Sequence, residues 1–435
     1  MTTNESLDNQ KKSLDVLKNK LDGRLLSYLN SCVRCGLCAE SCHYYLSDNN
    51  ECYIPGKKVE QITSIYKRYF TLAGKVIPRF VGAKNYDEQM IDDLTNLAFG
   101  SCTMCGRCAM HCSIGIDIPL LVRTARSMLI KMDKVPKGLI STANAALQSG
   151  NNMNIPRDEF IDTLKWLEED LQMEVNDKNA TIPLDKKDAN IVYTLNPREP
   201  KFFPFSISAV AKIFYAAKEN WTISTNVYDV TNYPYFVGDD DGAKELTQRH
   251  FNEMNKLNAK TLVLAECGHG FRAYKWEGQQ WIKKKYTFEV VSIIEIISNY
   301  IKENKIKLDP SKNNKLTTLH DPCNLVRNGG IIEEQRFILS KAVNNFVEMY
   351  PNRENNYCCG GGGGQLAMSE YSKRRIKAGK IKAEQIRKTG AKVVATPCHN
   401  CIDQLMELNK EYDLKVEIKT ISEIVANALV IEIGN

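Results

Sequence analysis

Leucines recur every three to four positions near the start of the chain and predict an amphipathic helix. They are Leu14, Leu17, Leu21, Leu25 and Leu29. This spacing puts all five on one helix face. The polar residues before them, 1–9, are predicted to fray. The same periodicity predicts further helices over residues 58–70, 88–97, 120–132 and 157–171.

Four short apolar runs lack that periodicity and predict buried parallel strands. They cover residues 190–195, 261–265, 316–319 and 392–395, and near-continuous apolar runs of this length are typical of strands covered on both faces. Three of the runs are followed closely by a cysteine, namely Cys267, Cys323 and Cys398. Ligands gather outside the carboxyl ends of such strands, so we expect sites there on two α/β lobes.

Two cysteine-rich segments share one spacing. Residues 31–43 read SCVRCGLCAESCH and residues 101–113 read SCTMCGRCAMHCS, with seven identities in thirteen positions. The run C-x2-C-x2-C-x3-C is that of two-cluster ferredoxins, whose fourth cysteine ligates the other cluster. It predicts two cubane 4Fe-4S clusters. Zinc is less favoured, because a zinc ribbon needs two separated pairs of cysteines. The predicted ligands are Cys32, Cys35, Cys38, Cys42, Cys102, Cys105, Cys108 and Cys112, with Cys42 and Cys112 crossed between clusters.

Five more cysteines in the last quarter of the chain form a different pattern. They are Cys323, Cys358, Cys359, Cys398 and Cys401. Adjacent cysteines diverge and serve one zinc or one cubane corner poorly, so the pair favours an opened, noncubane 4Fe-4S cluster. The pair runs into five glycines, of which Gly360 and Gly361 are predicted to bind the cofactor, because glycine reaches positive φ and lets amides approach a ligand closely. A disulfide or a flexible linker is the plainer alternative.

These patterns predict a multidomain α+β protein with an α-helical ferredoxin domain and two pseudo-repeated α/β lobes. The expected domains are 1–135 (ferredoxin), 136–188 (linker with a helix), 189–310 (degenerate lobe) and 311–435 (lobe with the noncubane cluster). In the degenerate lobe, residues 265–270 stand where the second lobe has 396–401, and residues 236–238 are the nearest counterpart of Cys-Cys-Gly.

Composition narrows the class of protein. The chain has 435 residues, a net charge of +6 and fifteen cysteines. No signal peptide or long apolar stretch is evident, so we expect a reducing cytoplasm, thiolates that bind metal and no direct membrane span. The charge is too mild to indicate nucleic acid. Many basic residues fall in 373–388, which predicts a solvated helix face or, alternatively, a docking surface or a counter to cluster charge.

The pattern C-x34-CC-x38-C-x2-C resembles the CCG domain of heterodisulfide reductases, which binds a noncubane cluster there. With two ferredoxin boxes before it, the chain resembles the heterodisulfide reductase D subunit and, more closely, the K subunit of the dissimilatory sulfite-reduction-associated membrane complex. The resemblance implies that all five cysteines ligate this cluster. It also implies a disulfide or trisulfide substrate on a small carrier protein, and a membrane-anchored cytochrome or quinone-reactive partner subunit. The protein would then lie at the membrane periphery through its partners.

Disulfide reduction takes two electrons and two protons, whereas clusters deliver electrons singly, and an opened cluster could hold a half-reduced substrate. His269, His320 and His399 are candidate proton donors because histidine titrates near neutrality, although each could simply be a structural hydrogen-bonding group. We therefore expect a heterodisulfide-reductase-like enzyme. The alternatives are the iron-sulfur subunit of a lactate or glycolate oxidase, or of a quinone-linked fumarate reductase, and a non-catalytic electron relay. The chain has no Rossmann fingerprint for a nucleotide cofactor.

Overall fold

The computed structural model describes residues 3–431, which divide into two compact units. Unit 1 consists of Met1–Ser141, Pro234–Asp240 and Gly360–Ile381. Unit 2 consists of Thr142–Tyr233, Asp241–Cys359 and Lys382–Asn435. Each unit is thus assembled from three separate stretches of the chain.

The long N-terminal stretch of unit 1 is helical. Its helices are α1 (Thr3–Lys20), α2 (Gly23–Ser31), α3 (His43–Asp48), α4 (Pro55–Phe70), α5 (Leu72–Val76), α6 (Pro78–Val81), α7 (Glu88–Ala98), α8 (Arg107–Met110) and α9 (Ile118–Ile130). Helix α9 is buried along most of its length and packs against α1, α4 and α7. The two cysteine boxes lie on the turns between α2 and α3 and between α7 and α9.

The first predicted helix is in fact two. Helix α1 ends at Lys20, and Asp22 caps α2 by accepting a hydrogen bond from the Leu25 amide at 2.7 Å. The leucine pattern runs through this break because Leu17 of α1 and Leu25 and Leu29 of α2 are all buried. The prediction that residues 1–9 fray is wrong for residues 3–9, which belong to α1; residues 1 and 2 lie outside the described residues.

Between the ferredoxin region and the sheets lie α10 (Lys137–Ser149) and α11 (Arg157–Val175). Helix α11 buries Phe160, Leu164, Leu167 and Leu171 along one face. These side chains belong to the hydrophobic core of unit 2. The segment that was expected to be a linker therefore contributes a core helix.

The first lobe of unit 2 is a parallel sheet with the strand order β2-β1-β3-β4. Its elements are β1 (Ile191–Tyr193), α12 (Arg198–Phe202), α13 (Pro204–Ala216), β2 (Trp221–Ile223), α14 (Tyr233–Val237), α15 (Asp240–Leu257), β3 (Thr261–Leu264), α16 (Gly268–Gly270), a π-helix (Phe271–Glu277), α17 (Gly278–Ile282), β4 (Glu289–Ser292) and α18 (Ile293–Lys302).

The second lobe repeats this order as β6-β5-β7-β8, again with every pair parallel. Its elements are β5 (Thr317–Leu319), α19 (Glu334–Ala342), β6 (Phe346–Val347), α20 (Ser372–Ala378), α21 (Lys380–Thr389), β7 (Val393–Ala395), α22 (His399–Glu411), β8 (Glu417–Lys419) and α23 (Ile421–Ala428). The four predicted runs are β1, β3, β5 and β7, the two central strands of each sheet. Of the outer strands that were not predicted, β4 and β8 each begin with an exposed residue, and β6 has only two half-buried residues.

The segments 234–240 and 360–381, which include most of α14 and all of α20, belong to unit 1, where one side chain binds both segments. The buried Arg126 guanidinium donates to the carbonyl oxygens of Phe236 and Gly363, at 2.6 and 2.8 Å. Phe236 belongs to the predicted Cys-Cys-Gly counterpart of the first lobe, and Gly363 lies in the glycine run that follows Cys358 and Cys359 in the second. Arg126 also donates to the carbonyls of Ala98 and Cys102.

Residues 373–388 do not form a single solvated helix face. They are divided between α20 and α21, and both Arg375 and Lys382 are buried. Lys377 instead pairs with Asp48 on α3 within unit 1. The interpretation as a solvated face is therefore wrong for Arg375 and Lys382.

Candidate metal centres

The two cysteine boxes fold into the same backbone shape. Arg34 and Met104, at equivalent positions, both have left-handed φ angles, of 57° and 55°. Gly36 and Gly106, two residues later, also have positive φ, of 84° and 79°. The internal repeat seen in the sequence is therefore also a repeat of loop geometry.

Each box shares its cavity with the last cysteine of the other. Cys32, Cys35 and Cys38 line one cavity together with Cys112. Cys102, Cys105 and Cys108 line a second cavity together with Cys42. This is the crossed grouping that the spacing predicts, and the individual ligand roles stay predictions.

The chemistry of the second cavity fits a metal cluster. Burial raises the pKa of Cys108 well above its ordinary value, and negative charge on Cys105, Cys42 and Cys102 raises it further. These thiolates therefore need positive charge beside them, which iron supplies when thiolates ligate it. Lys58 supplies one cation, because it is buried on the cavity wall and donates to the Ser101 carbonyl.

The first cavity is more open to water. Cys35 is exposed, and the charged side chains on the cavity wall, Arg34, Lys57 and Glu60, form ion pairs at 3.5 Å. A Cβ on Gly56 would lie 3.6 Å from the sulfur of Cys38, in ordinary van der Waals contact. The two ferredoxin sites thus have the same donors in different electrostatic surroundings.

The third cysteine set lies in unit 2, at the carboxyl ends of β5 and β7. The Sγ atoms of Cys359 and Cys401 are 3.4 Å apart, and Cys398 is hydrogen-bonded to Cys401. Cys323 and Cys358 are buried like the other three. A set of five buried thiols fits a thiolate-ligated cluster better than an aqueous redox pair. All five cysteines were predicted to share one site. The sulfurs of Cys359, Cys398 and Cys401 lie together, and the ligand roles stay predictions.

The start of helix α22 favours a thiolate at Cys398. This residue is the N-cap of α22, and the Cys401 thiol donates to it. That hydrogen bond lowers the pKa of Cys398, and the amides of Gly268, Cys401 and Asn400 lower it further. Donors at a helix N-terminus generally stabilise thiolates. The same contacts, with Cys359 first, raise the pKa of Cys401.

His320 is the candidate histidine placed against the sulfurs. One of its ring nitrogens and the sulfurs of Cys359 and Cys401 lie within 4.8 Å of one another. Its Nδ1 is 3.4 Å from the Asn356 amide nitrogen, whereas Nε2 has no hydrogen-bond partner among the residues that the structure describes. Burial lowers the pKa of His320 well below its ordinary value, so the ring is neutral unless nearby negative charge stabilises the imidazolium.

His399 and His269 each bind a residue of the opposite lobe. The Nδ1 of His399 lies 3.2 Å from the Glu266 carbonyl, and its Nε2 lies 3.3 Å from Ser206 Oγ and 3.7 Å from Glu199 Oε1. His269 Nδ1 accepts from the Asn400 side chain at 2.6 Å. Burial lowers the pKa of His399 to about 4 and that of His269 to about 3.

Two buried carboxyl groups of the first lobe were not recognised in the sequence. Burial raises the pKa of Glu199 and of Glu266 to about 8. Glu266 accepts from the amides of Ile421 and Ser422 at the start of α23, in the other lobe. Glu199, through Ser206, can exchange a proton with His399 beside Cys398. The first lobe therefore forms a wall of the third site, although it has only Cys267 of the cysteine pattern.

Lys382 was also missed, because it is concealed in a basic run. Its buried ammonium donates to the Asn356 side chain. Burial lowers the pKa of Lys382 to about 8, although the charges of Asp321, Cys359, Cys358 and Cys401 raise it. Asp321 is itself fixed by a two-point ion pair with Arg336, at 2.9 and 2.8 Å. Only tertiary packing distinguishes the buried Lys382 from the solvated basic residues near it in the sequence.

Models of known protein families match both cysteine-rich regions of the chain. Residues 28–116 match the model of a 4Fe-4S dicluster domain. Residues 317–406 match the model of a cysteine-rich domain, CCG. This chain carries a 4Fe-4S dicluster domain and a CCG domain. The predicted fold class and the iron-sulfur assignment are thereby confirmed, whereas the noncubane form of the third cluster stays a prediction.

Known proteins resemble the chain over nearly its whole length. It is 28% identical to the Hdr-like menaquinol oxidoreductase iron-sulfur subunit 2 of Archaeoglobus fulgidus, over 93% of this chain and 80% of that protein. It is 27% identical to the D subunit of the dihydromethanophenazine:CoB–CoM heterodisulfide reductase of Methanosarcina barkeri, over 93% and 95%. A more distant relative is the EtfAB:quinone oxidoreductase of Syntrophomonas wolfei, 23% identical over 87% of this chain and 55% of that protein.

These relatives confirm the general resemblance to heterodisulfide reductases. The narrower resemblance to the K subunit of the sulfite complex stays a prediction. Among residues 3–431, no helix is both long and apolar enough to cross a bilayer.

Proposed function

We propose that this chain is the catalytic iron-sulfur subunit of a membrane-associated complex that reduces or oxidises a disulfide or trisulfide. The substrate group is carried on a small sulfur-carrier protein, and the reaction takes place at the third cysteine set. The observation that supports this most is the gathering of the Cys359, Cys398 and Cys401 sulfurs beside a histidine nitrogen. The similarity to subunits named for menaquinol and for a heterodisulfide agrees with it.

The residues of the third set hold the reacting centre and shape its surroundings. Cys323, Cys358, Cys359, Cys398 and Cys401 would ligate the cluster, which when bound supplies electrons one at a time. Lys382 places a buried positive charge near these thiolates. His320 presents a ring nitrogen to the same place, where it can donate a hydrogen bond to sulfur.

The reaction balances with two electrons and two protons. Reduction breaks one S–S bond and forms two S–H bonds. The electrons come from a reduced quinone-type carrier through a partner subunit and the two ferredoxin sites. The protons come by way of His320 and the pair of Glu199 and His399. Oxidation of two thiols is the reverse of this reaction, and nothing in the cysteine pattern favours either direction.

A second candidate is electron transfer between a flavoprotein and a quinone, without any disulfide. The similarity to an EtfAB:quinone oxidoreductase favours it. In that case the third set is a relay, and a flavoprotein should copurify with the chain. The two candidates differ in whether a disulfide changes the third centre.

The test is electron paramagnetic resonance on the anaerobically purified full chain, oxidised and then titrated with disulfides, together with an iron count. We expect about twelve irons per chain, as three four-iron clusters require, and an oxidised-state signal that changes when disulfide is added. Cys359→Ser should abolish this response and thiol–disulfide turnover, while both ferredoxin signals remain.

Cys52→Ser is the matched control, because Cys52 is exposed and outside all three cysteine sets. It should leave the iron count, all signals and turnover unchanged. The proposal would be contradicted if the wild-type signal did not change on adding disulfide, or if turnover persisted in Cys359→Ser. Either result would favour the second candidate, in which the third set is an electron relay.

A further inference from the structure

A group of large apolar side chains in unit 1 faces water. Leu72, Val76, Ile77 and Phe80 expose 79%, 70%, 47% and 91% of their surface. All four lie on the short helical hairpin formed by α5 and α6, residues 72–82, which we call the apolar hairpin. Isolated exposed apolar residues are ordinary, but clusters of them mark interaction sites.

The apolar hairpin is a built structure rather than a loose loop. The Thr71 side chain caps the amide of Gly74 at 3.1 Å, and the Ala83 amide donates to the Pro78 carbonyl at 2.9 Å. Gly74 packs so tightly that a Cβ there would lie 1.9 Å from the Lys67 carbonyl oxygen. The side chain of Lys67 donates to the Val81 carbonyl at 3.2 Å. The fold therefore holds these apolar side chains outward.

The apolar hairpin itself carries only positive charge, on Lys75 and Arg79. Residues 61–86 contain no aspartate or glutamate, and they contain five basic residues. These are Lys67, Arg68, Lys75, Arg79 and Lys84. Lys75 and Arg79 are exposed on the hairpin, whereas Lys84 lines a cavity together with Glu51, Glu60 and Asp93. The surface therefore combines an apolar tip with a positive rim.

We propose that the apolar hairpin docks directly on the surface of a bilayer that contains anionic lipids. Apolar side chains with basic neighbours bind such interfaces by burying the tip about 5–10 Å into the headgroup boundary, while Lys and Arg are attracted to the anionic headgroups. A loop of an integral membrane subunit is a poorer complement, because short cytoplasmic loops are themselves rich in Lys and Arg. This contact goes beyond the proposed redox function and adds a direct lipid contact to the expected attachment through partner subunits.

The test is cosedimentation of the cluster-loaded full chain with vesicles of phosphatidylcholine, with and without phosphatidylglycerol. We expect binding only to the anionic vesicles, weakened by added salt because salt screens exposed charges. Lys75→Gln/Arg79→Gln should weaken the partition coefficient about thirtyfold, since each basic residue near the surface contributes about a factor of five. Leu72→Ser/Phe80→Ser should also lose binding, with iron content and circular dichroism unchanged.

Met173→Ser is the control, because Met173 is 75% exposed on α11, outside the apolar hairpin. It should bind anionic vesicles as the wild type does. As a second readout, Phe80→Trp should be quenched by brominated lipid in anionic vesicles. Absence of wild-type binding, or hairpin variants that bind like the wild type, would overturn the proposal. Binding that needs an integral membrane protein instead of lipid would overturn it in favour of a protein interface.

Discussion

Lys57 and Lys58 are neighbours in the sequence but have different electrostatic roles. Lys58 is buried on the wall of the cavity lined by Cys42, Cys102, Cys105 and Cys108. Burial alone would lower its pKa, yet the negative thiolates, with Cys102 first, raise it above the ordinary value. The side chain of Lys57 is 51% exposed and pairs with Glu60. A buried cation acts on a nearby cluster more strongly than a solvated one, because water screens the latter.

Lys58→Met should therefore lower the reduction potential of one ferredoxin cluster. A buried positive charge stabilises the more negative, reduced form, and cluster potentials respond to local charge. We expect a downward shift of at least about 59 mV, which is a tenfold change in the ratio of reduced to oxidised cluster. The measurement is a redox titration of the full chain followed by electron paramagnetic resonance.

Lys57→Met removes the same charge one residue away and is the matched control. It should leave the potential of the cluster beside Lys58 within a few millivolts of the wild type, because Lys57 lines the other cavity. Equal shifts in the two variants, or no shift in Lys58→Met, would show that burial of Lys58 does not tune the site.

At the scale of elements, the glycine run after Cys359 does more than the sequence predicts. The run was expected to approach the cofactor, and Gly360 does have a positive φ of 105°. Gly363 and Gly364 instead pack within unit 1, against Thr103 and Leu139. A Cβ on Gly363 would lie 2.7 Å from the backbone of Thr103, the residue after Cys102. This contact joins residues far apart in the chain, so spacing alone could not predict it.

Gly363→Ala should disturb the second ferredoxin site. Its φ of 63° costs an alanine about 1–2 kcal/mol. Displacement of the Thr103 backbone adds about 1–3 kcal/mol, as overpacking does. We expect lower iron content and a lower midpoint for thermal loss of cluster absorbance.

Gly390→Ala separates the two effects, because Gly390 has a similar φ of 66° but, within the described residues, open space where its Cβ would lie. It should keep the full iron content and lose only the stability due to φ. If both variants kept their iron equally, the contact of Gly363 with Thr103 would be unimportant for the site.

At the scale of the whole molecule, the features that the sequence predicted correctly are mostly those encoded in short, local patterns. Cysteine spacing and central strands are encoded over a few residues, so the boxes and β1, β3, β5 and β7 were found. By contrast, the buried Lys382 contacts Asn356, which is 26 positions away, and Glu266 accepts from Ser422 of α23, which is 156 positions away. The assembly of each unit from three stretches is equally non-local. No periodicity in the sequence carries such information.

The crossed ligation of the ferredoxin sites connects these scales, because local spacing predicts it while only the folded chain brings the cysteines together. Cys42 belongs to the first box but lies with Cys102, Cys105 and Cys108. Cys42→Ser should therefore perturb the same paramagnetic signal as Cys105→Ser. Cys112→Ser should perturb the other signal, which Cys35→Ser also affects.

The four single variants, titrated side by side, decide between crossed and uncrossed ligation. Serine keeps the size of the side chain and ligates iron more weakly, so each variant should alter one signal while the other serves as its internal reference. If ligation were uncrossed, Cys42→Ser would alter the same signal as Cys35→Ser. Because the two cavities differ in the buried Lys58, the signal shared by Cys42→Ser and Cys105→Ser should also be the one that Lys58→Met shifts.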